Sequence, residues 1–219
     1  PADERWARAH ELPCVASVHT RFETYLRYYR LGLLEPLAVA WLRRFYGRCR
    51  QIYAPTVSMV SMLEAQGVEG DIRLWRRGVD SALFRPGRRS AEWRQAQGIA
   101  EDETVVLFVG RLVHEKGLDR VAATRAALAA AGFEPRWLVV GDGPARAAFE
   151  AAMPGAVFTG FLTGEDLATA YACADIFFNP SMTETFGNVT LEAMASGLPV
   201  VAAPATGSRS LVHHERTGF

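Results

Sequence analysis

Lysine is almost absent from this chain. Of its 24 basic residues only Lys116 is a lysine, which leaves 23 arginines (24 − 1). An Arg- and Ala-rich composition can follow from codon bias, so the interest lies in where the one lysine stands. Cysteine is also sparse: Cys14, Cys49 and Cys173 are odd in number and far apart. They match no zinc or redox spacing and read as reduced packing residues, which points to a cytoplasmic location. No apolar run is long enough to span a bilayer, and no secretory leader is visible. Excess charge of either sign is missing too, with 24 acids against 24 bases. A nucleic-acid binder, which needs a broad basic face, is thereby disfavoured.

What is present is ordinary in amount and patterned in order. Hydrophobic residues make up 49% and charged residues 22%, as in a soluble globular chain, and the length allows one large domain or two small ones. The charge is uneven: residues 1–103 carry 16 bases and 13 acids, residues 104–219 carry 8 and 11. Residues 21–50 alone hold seven arginines against Glu23 and Glu35. "CVASVH", "QIYAPT" and "DIRLW" read as strands. "EPLAVAWLRRFYGRCR" (35–50) puts Leu37, Trp41, Leu42, Phe45, Tyr46 and Cys49 on one side of a helix. Thr56 or Ser58 is positioned to cap a helix bearing Met59, Met62 and Leu63.

From Thr104 the alternation becomes regular. "TVVLFVG", "RWLVVG", "AVFTG", "DIFFNP" and "LPVVAAP" are expected strands, with helices over 117–131, 144–152, 164–173 and 187–196. Fully apolar strands alternating with helices imply an α/β fold whose parallel sheet is covered on both faces. The stretch 81–103 breaks the pattern. It places a boundary region at 86–103, between an amino-terminal domain at 1–85 and a carboxyl-terminal one at 104–219. The chain opens on Pro and ends on "ERTGF" with no closing element, so both domains are expected to be incomplete.

The informative motifs come directly after expected strands, where ligands of such sheets bind. After "VVLFVG" come Arg111 and Lys116, with Gly117 opening a helix. A cation pair beside the positive end of a helix makes a place for phosphate; Lys gives a compact charge and Arg a flat fork. After "DIFFNP" come Glu184 and Glu192, eight apart, with Gly187-Asn188-Val189 between them at a helix start and Thr185 placed to cap it. "VVGDGP" lacks the last glycine of a dinucleotide loop and reads as a turn. His213 and His214 are adjacent, so on an extended segment they point apart and share no metal.

"GRLVHEKGLD" together with "PSMTETFGNVTLEAMASGLPVVAA" resembles the retaining glycosyltransferases of family four, which have the GT-B fold of two facing Rossmann-like domains. The likeness extends over "APTVSM", "RRGVDSALFRP" and "VFTGFLTGEDLATAYACADIFF". The opening "SVHTRFETYLRYYRLGLLEP" looks like the subgroup of GDP-mannose-dependent α-mannosyltransferases and sulfolipid synthases. The resemblance implies that Arg111 and Lys116 hold the diphosphate of a nucleotide sugar and that Glu192 takes the ribose hydroxyls. It implies that Glu184 and the amides from Phe186 through Gly187 and Asn188 to Val189 hold the donor sugar. Phe161 and Leu162 would lie against the base, and His19 would reach toward the sugar.

On this reading a hexose moves from a nucleotide sugar, GDP-mannose or a UDP-sugar, to a lipid or glycan acceptor. No Asp-x-Asp pair is present to hold a divalent cation, so the expected reaction uses no metal and no cofactor beyond the donor. The leaving charge falls to Arg111, Lys116 and the helix start. The lone lysine is then a leaving-group clamp. The Arg-rich, aromatic segment 21–50 suits an anionic membrane surface, at the inner face of the cell membrane; the bland alternative is an amphipathic helix packed into the core. A UDP-sugar-dependent glycolipid synthase, a nucleotide-sugar epimerase of related fold, and a silent interaction module are the competing readings. Three departures from the family pattern stand out: no early glycine-rich loop, no closing strand or last helix, and Thr206-Gly207-Ser208 where many members have two glycines and a later acidic residue.

Overall fold

A computed structural model describes residues 6–7 and 9–219 and divides the chain into two compact units. The first comprises Pro1–Arg77 with Thr183–Phe186, and the second Gly78–Met182 with Gly187–Phe219. The first unit holds a parallel sheet of three strands, β1 (Val15–Ser17), β2 (Gln51–Ala54) and β3 (Ile72–Leu74), in that order. Helices α1 (Phe22–Tyr28), α2 (Glu35–Tyr46) and α3 (Val57–Ala65) connect them. Thr56 caps α3, its hydroxyl accepting the Met59 amide at 3.1 Å. Ala16, Ile52, Ala54, Met59 and Leu63 close the core with Tyr46 at the end of α2 and Cys49 beyond it. Burial, reinforced by the nearby Glu23 and Cys49, pushes the Tyr46 phenol up to about 12.

The apolar stripe expected along 35–50 splits in two. Tyr46 and Cys49 are buried, but Leu37 and Trp41 are 68% and 56% exposed. Phe22, Tyr29, Leu31, Leu33 and Leu34 are exposed as well. Only the carboxyl-terminal turn of α2 reaches the small sheet, so the same periodicity serves core at one end and solvent at the other.

The second unit is a five-stranded parallel sheet: β4 (Val105–Val109), β5 (Arg136–Val140), β6 (Val157–Gly160), β7 (Ile176–Asn179) and β8 (Val200–Ala202). Its order is β6-β5-β4-β7-β8. Side chains alternate across a strand, and the two faces fill separate cores. Val105, Leu107, Leu138, Val140 and Phe177 meet α7 (Gly164–Ala172) and α8 (Asn188–Ala195). Val106, Phe108, Trp137 and Val139 meet α5 (Leu118–Ala130) and α6 (Arg146–Ala152). Strands with no polar face result from this two-sided cover. A short helix α9 (Ser208–Leu211) comes after β8. Phe219 then pairs with the free edge of β8, donating to Val200 at 2.9 Å and accepting from Ala202 at 2.8 Å. Gly218 forms an isolated parallel bridge to Val200 at the same edge. No helix among the described residues is long and apolar enough to cross a membrane.

Residues 86–103 belong to the second unit, as a 3-10 turn (Pro86–Arg88), helix α4 (Ala91–Ala96) and a turn leading into β4. Arg94 fixes this segment from inside. Its side chain is 2% exposed, and its guanidinium donates to the carbonyls of Cys173 (2.9 Å), Ala100 (2.7 Å) and Glu103 (2.6 Å). The Asp175 carboxylate lies 3.5 Å away and accepts the Val105 amide at 2.8 Å. One buried cation thus joins α4, the start of β4 and the start of β7. Removing it strands three carbonyls and leaves Asp175 with Arg89 as its one cation among the described residues, so Arg94→Ala is expected to lower unfolding free energy by about 3–5 kcal/mol. Urea denaturation checks this; Arg146→Ala, whose partners Asp142 and Glu150 are on the surface, should leave the midpoint nearly unchanged.

Candidate functional site

The strand order reverses at β4. Connections from β4 run outward through β5 and β6 on one side and return to β7 and β8 on the other. The carboxyl ends of β4 and β7 therefore flank the place where an open parallel sheet has its ligand crevice. The loop after β4 carries Arg111, which is exposed, and Lys116, which closes a 3-10 turn (His114–Lys116). Gly117 comes next at φ 75°, the left-handed region open to glycine, and caps α5.

The loop after β7 lies directly against it. A β-carbon on Gly117 would stand 2.9 Å from the Pro180 carbonyl oxygen. Arg120, one turn into α5, donates to that same oxygen at 3.2 Å. Lys116 is thus one residue from a backbone contact between the two loops, and the positive end of α5 opens at the same place.

At the other end of the β7 loop, Gly187 caps α8 at φ 93° and supplies no side-chain cap. The Gly187 carbonyl accepts the amides of Thr190 and Leu191 at 3.0 and 3.1 Å. The amides of Asn188 and Val189 precede that first intrahelical bond and face out of the helix mouth. The expectation that Thr185 caps this helix is corrected. Its hydroxyl donates instead to the His19 carbonyl at 2.8 Å, because the left-handed turn at Gly187 stands between Thr185 and the helix. Asn179, buried at the end of β7, ties the loop down: its amide donates to the Thr190 hydroxyl at 3.1 Å and its carbonyl oxygen accepts the Ser181 amide at 3.2 Å.

Glu192 sits one turn into α8, half-buried, and accepts from the Tyr171 hydroxyl at 2.9 Å. Burial raises its carboxyl above the usual range, and the Tyr171 bond partly offsets this. Leu162 packs on the α7–α8 side of the sheet, while Phe161, just past β6, is 77% exposed. They lie two strands from β4, about 10 Å across the sheet. Glu184 and Phe186 lie in the Thr183–Phe186 segment, grouped with the first unit, and Phe186 is buried. His19, exposed just beyond β1 in that unit, receives a hydrogen bond on Nδ1 from the Arg77 guanidinium. Among the described residues no three His, Cys, Asp or Glu side chains group so as to hold a metal ion.

Tyr171, Asn179, Arg120 and Arg77 have parts in these loops that the sequence did not announce. Tyr171 falls at a helix position whose spacing marks core and nothing else; its phenol oxygen, which needs a partner when buried, was the available signal. For Arg120 and Arg77 the sequence carries none, since each acts on a group 58 to 60 residues away.

Residues 103–219 match the family model described as glycosyl transferases group 1, and residues 4–83 match glycosyltransferase family 4. Over 213 residues the chain is 39% identical to a GDP-mannose-dependent alpha-mannosyltransferase of Mycobacterium tuberculosis, covering 97% of this chain and 54% of that protein. It is 38% identical over 220 residues to the sulfoquinovosyl transferase SQD2 of Arabidopsis thaliana, covering 97% and 42%. The chain therefore spans about half the length of the curated relatives it matches. Among solved structures, sucrose-phosphate synthase of Thermosynechococcus elongatus superposes at a TM-score of 0.80 with 22% identity, over 98% of this chain and 56% of the other. The Anabaena protein HepE, in complex with UDP and glucose, gives 0.77 with 24% identity, over 99% and 60%. These share the GT-B fold of two Rossmann-like halves. With more than half its residues in the match over 103–219, the chain belongs to the group 1 glycosyl transferases.

Proposed function

We propose that this chain forms part of a retaining glycosyltransferase whose second unit holds a nucleotide-sugar donor at the crevice above β4 and β7. The observation that carries the reading is the backbone contact of Gly117 on Pro180, which sets the Arg111–Lys116 loop beside the loop leading to the α8 mouth. The donor diphosphate binds Arg111 and Lys116, with the amides of Gly187, Asn188 and Val189 nearby. Glu192 accepts hydrogen bonds from the ribose hydroxyls, and Phe161 and Leu162 flank the base. Glu184, Phe186 and His19 are assigned to the donor sugar on the family pattern alone.

As the glycosidic bond breaks, negative charge grows on the diphosphate, and fixed cations and amides stabilise it without reorganising. No metal is required in this scheme. Retention results from attack on the same face, a leaving-phosphate oxygen taking the acceptor's proton while Glu184 positions the sugar. GDP-mannose is the favoured donor, supported by the name of the mycobacterial relative; a UDP-sugar is the alternative. The acceptor is a lipid or a glycan.

In the full-length protein, Lys116→Ala is expected to lower turnover about 10²–10³-fold. Unchanged turnover would remove the clamp. A thermal-shift panel of GDP-, UDP- and ADP-sugars reads out the donor, with stabilisation by GDP-mannose expected.

Glu192 yields a second expectation, with opposite signs for stability and binding. Its folded-state pKa is raised, so the folded chain binds its proton more readily than the unfolded one. The associated stability is present below the unfolded value and lost as pH rises through the folded value. At neutral pH the ionised carboxylate therefore destabilises the fold, and Glu192→Gln should melt higher by about 1–3 °C. The gain should shrink as pH is lowered toward about 4. Nucleotide affinity should fall about tenfold with the loss of a charged acceptor.

The exposed apolar residues of 22–41 stand among arginines, while Glu23 is paired with Arg21 and Glu35 with Arg27. We propose that this face rests on an anionic membrane surface. Vesicle sedimentation should show binding that rises with anionic lipid and falls with salt; absence of binding at any salt would remove the membrane.

A further inference from the structure

We propose that Tyr171 is a positioning residue for Glu192, fixing one carboxylate oxygen so that the other is presented to the nucleotide ribose. This rests on the reading of Glu192 as the group that holds the ribose. Tyr171 is fully buried, with its ring edge-on to Phe84 at 5.7 Å and tilted against Phe177 at 5.9 Å. Three aromatic rings in contact leave the phenol little freedom, so its hydroxyl is held at a set point on the flank of α8. Around that point stand two acceptors three positions apart on the helix, Glu192 Oε2 at 2.9 Å and the Val189 carbonyl at 3.1 Å.

A phenol has one proton to give. The ionised carboxylate is the stronger acceptor, so the proton goes to Oε2. The Glu side chain has three rotatable bonds and, unheld, would sample several rotamers at a cost in ordering when a ligand arrives. Anchoring Oε2 from below removes that freedom in advance and leaves Oε1 to accept from a vicinal diol. Donation to the carboxylate also partly offsets the burial that opposes its ionised state, the state that accepts from hydroxyls. The same bond ties α7 to α8, so a purely structural role must be separated from a positioning one.

The test is a two-by-two cycle on the full-length protein, with wild type and Tyr171→Phe each titrated by calorimetry against GDP and 2′,3′-dideoxy-GDP, and UDP with its dideoxy counterpart in parallel. The Phe ring keeps the packing on Phe84 and Phe177. Wild type should prefer the ribose form by about tenfold or more, the worth of hydrogen bonds to a charged acceptor. Tyr171→Phe should reduce that preference to about threefold or less while leaving the dideoxy affinity unchanged, since the loss is confined to the ribose bond. Equal loss for both nucleotides, or a full ribose preference in the variant, would overturn the positioning role and leave Glu192 as the ribose acceptor. Equal binding of ribose and dideoxy forms by wild type would overturn the reading of Glu192 itself, and this inference with it.

Discussion

Gly117 has no room for a side chain, because Pro180 occupies the place where one would begin. Two loops far apart in sequence are thereby held backbone to backbone, at the one point in the sheet where strand order reverses. Each loop's remaining geometry depends on that contact. Lys116 and the start of α5 come from one side, and the path to Gly187 and α8 from the other. Arg120 adds a second link to the same carbonyl, and Asn179 fixes the far loop to Thr190. The loops are built as a unit, with glycine used where backbones must touch or turn left-handed and buried polar groups used where they must not slip.

In the proposed donor site, charge is sorted by position. Arg111, Lys116 and the amide ends of two helices suit an anion. On the proposed reading Glu192, one turn inside α8, accepts hydrogen bonds when ionised, which suits ribose hydroxyls and not phosphate. A diphosphate joined to a ribose has this polarity. Burial opposes ionisation of Glu192, a cost that the proposed ribose-binding role accounts for. The Tyr171 bond is the internal compensation. The stability of the unit comes from elsewhere: the two apolar faces of the sheet and the buried Arg94 that secures α4 beneath it.

The regular half of the chain was legible because strands covered on both faces are uniformly apolar and their helices are amphipathic. All five strands from Val105 onward and the four helices between them fall where the alternation put them, while α9 after β8 was not expected. The 35–50 helix was legible as a helix but not as core, since periodicity records a face and not what covers it. Leu37 and Trp41 are exposed for that reason. Thr185 shows the limit for caps: residue type and offset matched, but the φ of Gly187 sent the hydroxyl elsewhere. The Arg111–Lys116 loop could be singled out because its charges come straight after a strand end. Tyr171 and Asn179 could not, because their partners are set by tertiary packing.

The central claim is that the β4 and β7 loops form a diphosphate site, and its most direct measurement is the affinity gained from a second phosphate. Calorimetric titration of GDP against GMP, and of UDP against UMP, on the full-length protein isolates that gain. The account predicts a preference for the diphosphate of about 10–100-fold, the range for one or two charge-assisted bonds. The preference should collapse in the Arg111→Ala, Lys116→Ala double variant while monophosphate affinity changes little. Equal affinity for mono- and diphosphate in the wild type, or a preference that survives the double variant, would contradict it.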